Sequence, residues 1–121
     1  MFRNDGGYGG IFGVYQHIFV ARARRQDVLE RAQDGGVVTA LLAWARQSGH
    51  IDGAVVTAVG EGDEPCFPTP KVATTVQQIK ASASSSYCPN NLTLEEVEDS
   101  NLERVAFVGV PCVVNTHFAQ R

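Results

Sequence analysis

The chain has 121 residues, 44% of them apolar, with a formal charge of −3 at pH 7. That length and apolar share fit one small folded domain and exclude a largely disordered chain. The scattered charges exclude the clustered basic surface of a nucleic-acid binder, and no apolar run approaches the length needed to span a bilayer.

Residues 1–13 (MFRNDGGYGGIFG) are Gly-rich and lack the long hydrophobic stretch of a signal peptide, so they are expected to be a flexible lead-in to a domain over 14–121. A cytoplasmic, reducing setting is the expectation. Tyr15 to Ala23 alternates in polarity and predicts a strand, on which His17 is expected to be a surface or satisfied residue rather than a ligand. Arg22, Arg24 and Arg25 read as its solvated end rather than as a phosphate clamp. Gln26 to Ala32 predicts a short charged helix.

Residues 33–42 (QDGGVVTALL) are the most informative run. Two glycines precede a helix predicted over Gly36 to Ser48, in which Val38, Leu41, Leu42 and Ala45 recur at helical spacing. Asp34 is the expected N-cap, and Gly49 is the expected stop. A helix N-terminus presents unpaired N–H groups and the positive end of the helix dipole, which suits phosphate, and glycine allows a ligand close to the backbone. A tight turn leading into the helix accounts for the same glycines. Trp44 is expected in the core or at an interface.

Ile51 to Val59 is apolar and β-branched, as a buried strand requires. Residues 60–70, with three prolines, predict a loop, followed by a short strand over Lys71 to Thr74. Thr75 is the expected N-cap of a helix through Lys80. Residues 81–91 (ASASSSYCPNN) predict a polar loop. Thr93 and Glu96 form a candidate capping box for a helix over Leu94 to Glu98. Arg104 to Gly109 predicts another buried strand, Val110-Pro111-Cys112 a turn, and a last helix begins near Val113. Alternating strands and helices predict a single layered α/β domain, a mixed sheet flanked by helices, with ligand-contacting loops at the carboxyl ends of strands. Cys66, Cys88 and Cys112 are far apart and form no CxxC pair, so they encode no self-contained zinc or ferredoxin-type site.

Five pieces in order carry a family likeness: Asp34 to Leu42, Ile51 to Val56, Pro70 to Thr75, Ser85-Ser-Tyr87 with Pro89, and Val105 to Cys112. The series resembles the N-terminal domain of the beta subunits of coenzyme F420-reducing hydrogenases and dehydrogenases. Related domains occur in methanogen formate dehydrogenase beta subunits and hydroxymethyl-chlorophyll reductases. The resemblance implies an oxidoreductase subunit that binds FAD and passes electrons between a 4Fe–4S cluster and coenzyme F420, alongside partner hydrogenase or dehydrogenase subunits. It implies cofactor contacts from Gln33, Asp34, Gly35, Gly36, Val37 and Thr39, from Ser84, Ser85, Ser86, Tyr87 and Asn90, and from Gly109 and Pro111. Cys112 becomes a cluster ligand, its fellow ligands lying outside this chain. Without the likeness, the serine run reads as a polar loop and Cys112 as a structural thiol.

The chain departs from the family at Ser86, where a cation is usual, and at Val110 and Val113, where a hydroxyl and an amide are usual. It is expected to be the N-terminal part of a longer polypeptide and inactive in isolation. A non-catalytic remnant or subunit-interaction domain of the same fold is the alternative, and a phosphate-ligand module unrelated to redox is a third.

Overall fold

A computed structural model describes residues 17, 19–58, 68–84, 97, 100–110 and 114–115. Helix α1 (Gln26–Leu29) is a single turn, and α2 (Val37–Gln47) is the longest element. Strand β1 (Gly53–Ala58), strand β2 (Thr69–Ala73), helix α3 (Val76–Ala81) and strand β3 (Val105–Phe107) follow. The strands form a mixed sheet in the order β2-β1-β3. β1 pairs antiparallel with β2, Val55 opposite Val72, and parallel with β3, Val55 beside Phe107.

The core lies between one sheet face and the helices. Ala54, Val56 and Ala73 point from the strands to Ile79 of α3, with Leu42 of α2, Ile51 and Ala106 packed around them. Alternation along β1 puts Ala54 and Val56 on this face and Val55 on the other. The alanines allow a close approach of helix to sheet, and Ile79 fills the space.

Both ends of α2 are set by glycine. At its start Gly36 sits in the left-handed region at φ +66°, and no side chain caps the helix. At its end Gly49 takes φ +73°. There the His50 N–H donates to Ala45 O at 2.9 Å and the Gly49 N–H to Arg46 O at 3.4 Å, a Schellman closure. α3 begins with a full capping box: the Gln78 N–H donates to Thr75 Oγ1 (3.2 Å), and Gln78 Oε1 accepts from the Thr75 N–H (3.0 Å).

The parallel pair is clamped at the amino end of β1. Arg104 donates to Asp52 Oδ1 through Nη2 (2.8 Å) and to Gly49 O through Nη1 (2.8 Å), while the Asp52 N–H donates to Arg104 O (2.8 Å). The Arg104 guanidinium hydrogen-bonded to Asp52 holds its carboxyl below the usual range. Asp27 of α1 is likewise lowered by hydrogen bonds from Arg25 and Lys80, the latter tying α1 to α3. Arg46 Nε donates to Thr74 O at 2.7 Å, joining α2 to the turn before α3.

Several expectations are corrected. No strand forms over the described part of 15–23: Phe19 and Val20 are 81% and 105% exposed, and Ala23 bonds to Gly35 O (2.7 Å) instead of a strand partner. The α1 helix stops at Leu29, short of Ala32, and α2 starts at Val37. Thr69 and Pro70, expected in a loop, belong to β2. Proline is tolerated there because, among the described residues, β2 lies at the sheet edge. Thr74 leaves the strand, its N–H donating to Gln78 Oε1 at 2.9 Å. Of the two places expected for Trp44, core or interface, its 58% exposure excludes the core. Of the helix expected over 94–98, Val97 is helical and the other positions lie outside the described residues; Val114 and Asn115 are helical as expected.

Candidate functional site

A cavity of about 550 Å³ opens where the carboxyl ends of β1 and β3 meet the start of α2 and the end of α3. This is where open α/β sheets commonly place ligands, and the volume is within the range of small-molecule sites. Its floor is apolar, from Val56, Leu42 and Ile79, with Val108 from the end of β3; Val55 of β1, whose side chain turns to the other sheet face, borders it. The lip from Gln33 to Thr39 forms one wall, and Ser82, Ala83 and Ser84 form another.

The donors of this lip are open. Among the described residues, no group accepts from the N–H groups of Val37, Val38 or Thr39; the first helical donor with a partner is Ala40, which bonds to Gly36 O at 3.0 Å. The end of α3 is closed by contrast. The Ser82 N–H and hydroxyl donate to Gln78 O (3.1 Å) and Ile79 O (2.9 Å), and the Ala83 N–H to Lys80 O (3.2 Å). Free donors on one wall and engaged acceptors on the other favour an electronegative group beside α2. Asp34 is the charged side chain among the described lining residues; its carboxylate suits hydroxyl donors rather than phosphate.

Gln33, Asp34, Gly35, Gly36, Val37, Thr39 and Ser84 are therefore brought together on one cavity. Gly109 is next to the lining residue Val108 but not on the lining itself. Ser85, Ser86, Tyr87, Asn90, Pro111 and Cys112 lie outside the described residues, as do Cys66 and Cys88. Among the described residues no group of three His, Cys, Asp or Glu side chains converges to hold a metal.

Two expectations about the lip change. Asp34 is not the N-cap; Gly36 is. The bareness of Gly36 serves the protein interior: a Cβ there would lie 3.0 Å from Val28 Cγ1 and 3.1 Å from Ala32 Cβ. The cavity also includes Thr57 and Ser82, which sequence reasoning missed. Thr57 was findable as the polar residue near the carboxyl end of a buried strand. Ser82 was findable as the first serine after the helix.

The fold defines a small α/β domain with a mixed sheet and a crevice at its carboxyl edge. Residues 18–95 match the sequence model of the family described as "Coenzyme F420 hydrogenase/dehydrogenase, beta subunit N-term", and the chain belongs to that family. It is 41% identical over 105 residues to the coenzyme F420 hydrogenase subunit beta of Methanothermobacter thermautotrophicus, covering 84% of this chain and 37% of that protein. It is 40% identical over 84 residues to the coenzyme F420-dependent sulfite reductase of Methanocaldococcus jannaschii, covering 69% of this chain and 13% of that protein. A chain of the F420-reducing NiFe hydrogenase complex of Methanosarcina barkeri superimposes with a TM-score of 0.68 at 34% identity, covering 78% of this chain and 33% of that one. The chain thus spans little more than a third of the hydrogenase subunits it matches. Among the described residues no helix is long and apolar enough to cross a membrane.

Proposed function

We propose that this chain is the flavin-holding part of an oxidoreductase beta subunit of the coenzyme F420 type, with FAD in the cavity beside α2. The observation that carries the reading is the open row of N–H donors from Val37 to Thr39 on a cavity with an apolar floor. FAD, when bound, supplies the exchange between hydride transfer to or from coenzyme F420 and single-electron transfer.

The work of the chain is to bind, orient and exclude water. The amides of Val37, Val38 and Thr39 receive the diphosphate. The Asp34 carboxylate and the hydroxyls of Thr39 and Ser84 suit the sugar and ribityl hydroxyls. Val56, Ile79 and Val108 offer an apolar surface to the ring. The continuation of the serine run through Ser85, Ser86, Tyr87 and Asn90, with Gly109 and Pro111 on the other loop, completes the proposed contacts. Cys112 is proposed as one thiolate of a 4Fe–4S cluster whose other ligands come from elsewhere, and the working assembly includes hydrogenase or dehydrogenase partner subunits. A cytoplasmic setting and an inactive isolated chain belong to the same proposal.

The test is Thr39→Glu. Thr39 is the third residue of α2, where a carboxylate favours the helix dipole but repels a diphosphate. The melting temperature should hold or rise while FAD affinity, followed by flavin fluorescence quenching, falls by at least about tenfold. Unchanged affinity removes the α2 lip from the site. A second reading, a subunit-interaction domain without cofactor, is favoured by the absence of a basic side chain from the described cavity lining and by apolar Val110 and Val113. A protein that purifies colourless and whose melting temperature ignores added FAD would support that reading instead.

A further inference from the structure

We propose that the ion pair of Lys80 with Asp27 is a cross-brace between the two walls of the cavity, and that both are therefore positioning residues, holding the α2 lip in place for the diphosphate. The positioning role rests on the flavin reading; the brace itself does not.

The lip is seated on the segment that carries Asp27. The Ala23 N–H donates to Gly35 O at 2.7 Å. A Cβ on Gly36 would lie 3.0 Å from Val28 Cγ1, 3.1 Å from Ala32 Cβ and 3.5 Å from Ala23 Cβ, so side chains from this segment bear directly on the residue that starts α2. Val28 is fully buried, and Ala32 also lines the cavity. Asp27 immediately precedes Val28. On the opposite wall, Lys80 lies between the lining residues Ile79 and Ser82. Lys80 Nζ donates to Asp27 Oδ2 across 53 residues of sequence. Each partner is thus next to a side chain that touches the cavity or its lip.

The place of the pair in the fold gives it leverage. Arg46 Nε on Thr74 O (2.7 Å) fastens the last turn of α2 to the start of α3. The opposite ends of these two helices, at Val37 to Thr39 and at Ser82 to Ser84, are the cavity walls. The Lys80–Asp27 pair, acting through the single turn of α1, fastens that open end. The Lys80 side chain is 18% exposed, so its stem is packed and its reach is fixed. Arg25 also holds Asp27, at 2.8 Å, but it lies two residues away on the same turn and joins no walls. An accessible ion pair adds little to global stability. Its effect on the separation of two walls appears instead in how well they meet a ligand.

The test separates a brace from a charge effect. Lys80→Met removes a positive charge and Asp27→Ala a negative one, so through-space attraction to a diphosphate shifts FAD affinity in opposite directions. A brace requires both variants to bind FAD about two- to fivefold more weakly. Lys80→Arg should keep the affinity, and so should Arg25→Met, which removes the same charge as Lys80→Met and leaves the tie intact. In a Thr39→Glu background, where the lip already repels the diphosphate, Lys80→Met should add no further loss. Without ligand, amide hydrogen exchange at Ala23 and Ala40, whose N–H groups bond to Gly35 O and Gly36 O, should quicken in Lys80→Met and Asp27→Ala, while exchange at Val55 and Val56 of β1 holds. Unchanged exchange at Ala23 and Ala40, or exchange that quickens equally at all four amides, overturns the brace. Opposite shifts in FAD affinity, a loss in Arg25→Met equal to that in Lys80→Met, an additive loss in the Thr39→Glu background, or local quickening with unchanged FAD affinity refutes the positioning role. No FAD binding by the unaltered chain refutes the flavin reading and leaves exchange to decide the brace.

Discussion

Gly36 shows how a residue can be legible while its reason is not. A Gly-Gly pair before an amphipathic run marks a helix start in any sequence, and α2 begins one residue later. The physical demand on Gly36, however, is a left-handed backbone and contact with Val28 and Ala32. That demand is set by α1, which approaches only in three dimensions. Gly36→Ala should therefore lose about 1–2 kcal/mol from the backbone conformation alone, with added crowding against Val28. A urea titration gives this number. Gly36→Val should lose more, so weakened ligand binding in that variant would follow from a damaged lip rather than a blocked one. Thr57, by contrast, carried a readable signal, a polar residue near the carboxyl end of a buried strand.

At the level of elements, the helices with local signals and strand β1 were readable, whereas the strand expected over Tyr15 to Ala23 does not form over its described residues. Thr75 announces α3 because its side chain bonds to an amide three residues on, a contact contained within four residues. Gln78 completes the box in the same span. Thr75→Ala should cost about 1 kcal/mol, within the 0.5–2 kcal/mol range for such caps, measurable as a lower urea midpoint at constant slope. The alternating run from Tyr15 to Ala23 has strand composition but, over its described residues, no strand partner. Alternation states which residues suit a sheet, while pairing requires a free edge in register. Pro70 was misplaced for the converse reason: proline disfavours central strands, and only the sheet order shows that β2 is an edge.

For the whole molecule, the layered α/β class followed from the alternation of element types, and the convergence of the lip, the end of α3 and the end of β3 followed from the rule for strand carboxyl ends. The ion-pair ties were not readable, because Asp52 and Arg104, or Asp27 and Lys80, are separated by about fifty residues. They give the molecule a signed response to acid. Asp52 and Asp27 are lowered in the folded state, so their contribution is present above the unfolded value of about 3.9 and is lost as pH falls through the folded values. The melting temperature should decline below about pH 4. Asp52→Asn should flatten that decline while lowering the melting temperature at neutral pH.

The clamp of Arg104 on Asp52 and Gly49 fastens the two parallel strands at the end opposite the crevice. The clamp and the crevice thus occupy opposite poles of the sheet, so a side-chain change at the crevice, such as Thr39→Glu, leaves the Arg104 bonds to Asp52 and Gly49 untouched.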